Sequence, residues 1–319
     1  MKVIEVTNID FSLRHFLLPL MRAIRARGHE VIGACAEGPL LREVRAEGFR
    51  VAGLPMERTL SAGAHWRAYR ALFALFRAEK PDLVHAHMPI SGFLARIAAR
   101  AAGVPRIAYT GHGFWFNAPG ATPRRAVGFA MEWLAARYTD VFMTVSAEEA
   151  ADARRLRISG SALAIGNGRD PALFHPDPEA RVAIRRALGV PRDRVVALAV
   201  SRLVRHKGYP ELARAVRDVP ALDLWVAGER LASDRGEDMA ALLAASGLGG
   251  RLRMLGYRTD IPALLAASDL FVLPSHFEGL PMSVIEAMLT GLPVVATDIR
   301  GPREQVVNGE TGLLEPPGE

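Results

Sequence analysis

The stretch DLFVLPSHFEGLPMSVIEAMLTGLPVVATD, Asp269 to Asp298, decides the fold. The apolar run in DLFVLPS lacks the polar alternation of a half-solvated strand, so it reads as a strand buried on both faces. HFEGL follows as a loop. Pro281 suits the first helical position, where its missing N–H is not needed. The helix is expected to run to Thr290, with Gly291 as its C-terminal cap. Within it, Ser283 and Glu286 share one face while Ile285 and Met288 mark another for the core. PVVATD then opens a second strand. Strand, helix and strand in about 30 residues make a βαβ unit, whose two strands lie parallel.

The same pattern extends outward from this stretch. VVALAVS, DLWVAGE and RLRMLGY precede it and TGLLEP follows, with helical spacers between. A separate series fills the first half: KVIEVT, EVIGAC, FRVAGL, DLVHAH, RIAYTG, DVFMTV and ALAIG. Between the two series, Pro171, Pro176, Pro178 and Pro191 and the Asn167-Gly168 turn signal interrupt the pattern. We therefore expect a Rossmann-like domain over residues 1–172, a linker over 173–193 and a second Rossmann-like domain over 194–319. Two doubly wound α/β domains facing across a cleft is the predicted architecture. Thr311 to Glu319 reads as a strand entering a loop, so the second domain is expected to lack its C-terminal helices.

Half of the 319 residues are apolar, and the length suits two globular cores. No apolar run approaches the roughly 20 residues of a membrane span, and MKVIEVTN reads as a strand rather than a signal peptide. Cytoplasmic is the expected location. The single cysteine, Cys35, lies in an apolar run and reads as a core residue. Charge is uneven: residues 1–180 carry 23 Lys and Arg against 17 Asp and Glu, whereas residues 181–319 carry 17 of each. The excess in the first half suits an anionic partner, either a membrane surface or a phosphate-bearing acceptor. No nucleic-acid reading motif accompanies it. HWRAYRALFALFRAEK, His65 to Lys80, reads equally as a basic amphipathic helix on an anionic membrane and as a helix packed on the sheet.

Glu278 and Gly279 fall just ahead of a helix N-terminus, at the C-terminal end of a parallel strand, where open α/β sheets bind ligands and free N–H groups favour an anion. Glu286 lies five residues beyond Pro281, about 7.5 Å along the axis. A ligand with hydroxyl pairs on both sides of a diphosphate would satisfy the two carboxylates. Taken alone, they also read as a local cap and a solvated helix residue. SRLVRHKG places Arg202 and Lys207 at the end of the first strand of the second series, where two cations could neutralise a diphosphate leaving group. Lys207 is one of only three lysines against 37 arginines, so a lysine there is not the habitual choice. YTGHGFWFN puts His112 between Gly111 and Gly113 at the end of another strand, where close backbone approach to a ligand is allowed. His85 and His87 have metal-like spacing, but no Cys or acidic cluster accompanies them in sequence, so no metal site is expected there. Walker, Gly-x-Gly-x-x-Gly and Gly-x-Ser-x-Gly motifs are absent from the sequence.

These motifs, in their order and spacing, resemble the retaining glycosyltransferases of family 4, which have the GT-B fold. The resemblance rests on Glu278 to Glu286 within EGLPMSVIEAM, on DLFVLPS, GLPVVATDIRG and NGETGLLEPPG, and on SRLVRHKG. DLVHAHMPISGFLARIAARAAGVPRIAYTGHGFWF and ARYTDVFMTVS are similar to the branch that builds capsular and exopolysaccharide repeat units. The resemblance implies that Glu286 binds the ribose hydroxyls, and that Glu278 with the backbone of Gly279 and Leu280 holds the donor sugar and diphosphate. It implies that Arg202 and Lys207 stabilise the departing diphosphate and that His112 sits by the sugar's C6 hydroxyl and the reacting carbon. It further implies same-face transfer with no metal and no cofactor, the nucleotide sugar being a substrate. One departure is the first βα loop, TNIDFSLRHF, which lacks the glycine pair many relatives place against the diphosphate.

The function expected is therefore transfer of a sugar from a nucleotide-sugar donor, UDP-linked, to a lipid-linked oligosaccharide acceptor, by a protein lying peripherally on the inner face of the membrane. The rivals are a nucleotide-sugar epimerase of the same fold and a noncatalytic nucleotide-sugar-binding paralogue.

Overall fold

In the computed structural model of the chain, residues 1–57, 61–118, 120–191, 193–230, 234 and 236–318 are described, and these carry every strand expected above. The chain divides into two units, Met1–Gly166 and Asn167–Glu319. Unit 1 holds β1 (Lys2–Val6), β2 (Glu30–Ala36), β3 (Arg50–Leu54), β4 (Leu83–His87), β5 (Arg106–Gly111), β6 (Val141–Thr144) and β7 (Leu163–Ala164). They form one parallel sheet in the order β3-β2-β1-β4-β5-β6-β7. Unit 2 holds β8 (Val195–Val200), β9 (Leu222–Ala227), β10 (Leu252–Gly256), β11 (Leu270–Leu273), β12 (Val294–Thr297) and β13 (Gly312–Glu315), all parallel, in the order β10-β9-β8-β11-β12-β13. Each sheet is doubly wound. Its strand order reverses between β1 and β4 in unit 1 and between β8 and β11 in unit 2, and such reversals open crevices beyond the strand ends.

The apolar runs are continuous because both faces of each sheet are covered. In β1, Ile4 and Val6 belong to one core and Val3 to another; in β8, Val196 and Leu198 face one core and Ala197 and Ala199 a second. Cys35 is fully buried in unit 1, and burial pushes its thiol up to about 12.

Two local features differ from the sequence reading, and a third matches one of its two alternatives. Within residues 173–193 the prolines start structure rather than break it: Asp177 accepts from Ala180 N at 2.9 Å, Pro178 takes the first turn, and a helix runs over Pro178–Ala187. Arg181 and Arg185 tie that helix to both oxygens of Asp269, each at 2.5 Å, so it is packed into unit 2. The helix after β11 is Met282–Leu289 with Pro281 at its N-cap, and its core-facing residues are Val284 and Ala287, with Met288 partly buried; Ile285 lies outside that cluster. Third, the helix read at 65–80 is Ala62–Glu79 and buries Ala64, Ala68, Leu72 and Phe76, leaving Trp66 60% exposed and stacked on Tyr69. One face packs on the sheet, and the tryptophan and arginines lie away from it. No helix of the described residues is long and apolar enough to cross a membrane.

Candidate active site

In unit 2 the loops after β8 and β11 are forced together by a glycine. Gly208 has φ +76°, and a Cβ there would stand 1.8 Å from the Pro274 carbonyl oxygen, so no other residue fits without displacing a loop. A backbone bond from His276 N to His206 O at 2.8 Å joins the same two loops. The result places Lys207, at the end of a short turn over Arg205–Lys207, against Glu278: Lys207 Nζ donates to Glu278 Oε1 at 2.5 Å, and Ser275 Oγ donates to the same oxygen at 2.7 Å. Glu278 is only 9% exposed.

The carbonyls of Leu280 and Pro281 accept side-chain hydrogen bonds, and the Gly279 carbonyl is closely approached by backbone. Gly301, at φ +92°, lets its backbone approach the Gly279 carbonyl, where a Cβ would sit 2.1 Å from the oxygen. Asn167 Nδ2 donates to Leu280 O at 2.8 Å, and Gln305 Nε2 donates to Pro281 O at 3.0 Å. The amides of Gly279 and Leu280 have no protein acceptor among the described residues. The first-turn amides of Met282–Leu289 have no intrahelical acceptor either. Free amides at a helix start are groups that favour an anion, and Lys207 is bonded to the neighbouring Glu278.

Among the described residues, Arg202 and Glu286 make no hydrogen bond or ion pair with that pair. Arg202 Nη1 donates to Asp234 Oδ1 at 2.5 Å. Arg169 Nε donates to Glu286 Oε1 at 2.6 Å, and Oε2 has no protein partner among the described residues. Burial pushes the Glu286 carboxyl above the ordinary range, and Arg169 opposes that shift. Sequence reasoning missed Arg169, because one arginine among 37 next to an Asn-Gly turn carries no distinguishing signal.

In unit 1, His112 follows β5 and is half-buried, its Nε2 3.1 Å from His87 Nδ1. His87 Nε2 in turn lies 2.7 Å from Glu5 Oε2, and His85 Nδ1 lies 3.2 Å from Glu5 Oε1. The absence of an acidic partner for the two histidines is thus corrected: β1 supplies one, because the β1–β4 register sets Glu5 opposite His85. Ligating atoms of Glu5, His85 and His87 lie within 4.8 Å of one another. A nitrogen–oxygen separation of 2.7 Å is that of a shared proton. Ligands of a tetrahedral ion with bonds of about 2 Å stand roughly 3.3 Å apart. The three groups satisfy one another. Burial alone would raise the Glu5 carboxyl, but the two imidazoles bring it down to about 2, while burial holds His87 down to about 4 and His112 down to about 3.

Two parallel-sheet Rossmann-like units are the architecture of the GT-B class of glycosyltransferases. The family profile "Glycosyl transferases group 1" matches residues 181–319 and the profile "Glycosyl transferase 4-like domain" matches residues 13–168. The chain belongs to this glycosyltransferase family. It is 34% identical, over 81% of its length and 68% of the relative's, to the UDP-Gal:alpha-D-GlcNAc-diphosphoundecaprenol alpha-1,3-galactosyltransferase of Escherichia coli. It is 30% identical, over 98% of its length and 83% of the relative's, to the putative glycosyltransferase EpsD of Bacillus subtilis strain 168. Among solved structures, Anabaena Alr3699/HepE in complex with UDP and glucose superposes with a TM-score of 0.84 at 24% identity, covering 100% of this chain and 86% of that one.

Proposed function

We propose that this glycosyltransferase takes its sugar from a UDP-linked donor and transfers it, with retention and without a metal, to a lipid diphosphate-linked saccharide in bacterial capsular or exopolysaccharide synthesis. The observation that carries the reading is the Lys207–Glu278 pair beside the unpaired amides of Gly279 and Leu280, at the strand-order reversal of unit 2. A diphosphate placed on those amides meets a cation on one side and carboxylates beyond, and a sugar nucleotide is a metabolite with hydroxyls at both ends of a diphosphate. Glu286 is assigned to the ribose hydroxyls through its open Oε2, Glu278 to the donor sugar, and Lys207 and Arg202 to charge on the departing diphosphate. His112 is assigned to the sugar near its C6 hydroxyl. The donor and acceptor named for the Escherichia coli relative support the choice of UDP and of a polyprenyl diphosphate acceptor. The positive excess of residues 1–180 supports peripheral contact with the inner face of an anionic membrane.

The test is a panel of nucleotide sugars, screened first by thermal shift and then with polyprenyl diphosphate-linked N-acetylglucosamine and vesicles containing anionic lipid. Transfer of the sugar from the binding donor is the expected result, the anomeric configuration of the product reporting retention. An altered free nucleotide sugar formed without acceptor would make the protein an epimerase, and binding without turnover on any acceptor would make it a noncatalytic binder.

A further inference from the structure

The contacts of His112 fix where its proton sits. Glu5 is fully buried and, as a carboxylate, can only accept, so the proton at 2.7 Å belongs to His87 Nε2. A neutral imidazole with its hydrogen on Nε2 offers a lone pair on Nδ1. His112 Nε2 stands 3.1 Å from that lone pair, so it must donate. The hydrogen of His112 is then on Nε2 and the lone pair on Nδ1, an atom with no protein partner among the described residues. His85 closes the other branch, its Nδ1 on Glu5 at 3.2 Å and its Nε2 2.8 Å from the Thr110 hydroxyl, which can serve as donor or acceptor.

We propose that Glu5 and His87 are positioning residues that hold His112 as the neutral Nε2–H tautomer, leaving Nδ1 open as a hydrogen-bond acceptor for a sugar hydroxyl. The burial-lowered basicity of His87 and His112, at about 4 and about 3, keeps both imidazoles uncharged at neutral pH. Three consequences follow from the chemistry. The ring cannot turn to present Nε2, because that nitrogen is engaged. It carries no positive charge to oppose charge building on the sugar as the diphosphate leaves. It also selects donors with a hydroxyl placed to donate to Nδ1, and disfavours those lacking one, since a buried acceptor left unpaired is penalised. The tautomer follows from the contacts with His87 neutral, as its burial dictates; its meaning for the sugar rests on the function proposed above.

The experiment is imidazole nitrogen–proton correlation NMR on the full chain labelled with 15N-histidine, with the spectrum of His112→Asn identifying the His112 signals. The expected result at neutral pH is the Nε2–H tautomer in the parent and a mixed population in His87→Phe and Glu5→Gln. In those two variants transfer at subsaturating donor should fall roughly tenfold to hundredfold, as for a displaced contact to the sugar. An Nδ1–H tautomer in the parent overturns the proposal even if neither variant folds, and so does an unchanged Nε2–H tautomer in both variants. If the parent shows the expected tautomer but His112→Ala turns over like the parent, the role of His112 at the sugar is wrong while the relay stands.

Discussion

Glu286 is 7% exposed, Arg169 takes one of its oxygens, and the function proposed assigns the other to the ribose hydroxyls. Replacing it with alanine removes a charge-assisted acceptor, so Glu286→Ala should weaken UDP binding by about 1–3 kcal/mol in calorimetry. Arg169→Ala acts differently. It removes the interaction that opposes the upward shift of Glu286, so the carboxylate form is lost at a higher pH than in the parent. UDP affinity should therefore begin to fall earlier on acidification, and affinities that track the parent at every pH would show that the ionised carboxylate is not what binds. The placement of the two carboxylates and Lys207 was legible in the sequence because it follows from local order: strand, loop, helix start. Arg169 and Glu5 were not, since their partners lie 117 and 80 or more residues away and only the folded topology brings them together.

At the scale of elements, all thirteen strands could be read because parallel strands buried on both faces appear as unbroken apolar runs. Helix faces were less legible: the single turn Ile285 to Met288 suggests a core face, but Val284 and Ala287 hold it. What positions the site is the closeness of two loops, and that rests on Gly208. Gly208→Ala would combine a left-handed backbone with a Cβ 1.8 Å from the Pro274 oxygen. Gly247 offers a control in the same unit, with φ +79° and no atom within 4 Å of the place a Cβ would take. Gly247→Ala should lose about 1–2 kcal/mol from backbone strain alone. Gly208→Ala should lose roughly 3 kcal/mol or more and weaken UDP binding as well, because Lys207 and Glu278 are carried by the loops it parts. Equal losses of stability in urea unfolding would mean the loops are free to separate and do not fix the pair.

At the scale of the whole molecule, the two units should answer acid differently, because their buried titratable groups are shifted in different directions. In unit 1, His87 and His112 have folded pKa values of about 4 and about 3, below the ordinary 6.5 of an unfolded histidine. Below that value the unfolded chain binds protons that the folded one refuses, so stability fully present above about 6.5 drains as the pH falls toward 4. Glu5, held down to about 2, adds a further loss once the pH drops through the unfolded carboxylate range. In unit 2, burial lowers His206, which acts in the same sense, but Glu286 is raised and takes up its proton more readily folded than unfolded. Acid therefore favours folded unit 2 at Glu286 and offsets part of the loss at His206. Between pH 7 and pH 5, amide hydrogen exchange corrected for intrinsic rates should show protection falling more in β1, β4 and β5 than in β8 and β11, by a margin of order 1 kcal/mol or more in local stability. Saturating UDP should widen the gap, since a ligand held by unit 2 stabilises it by about 2.7 kcal/mol at a hundredfold excess over Kd. Equal loss in both sheets would mean that the Glu5–His87–His112 chain is not the acid-sensitive element of the molecule, and that its imidazoles are charged at pH 5.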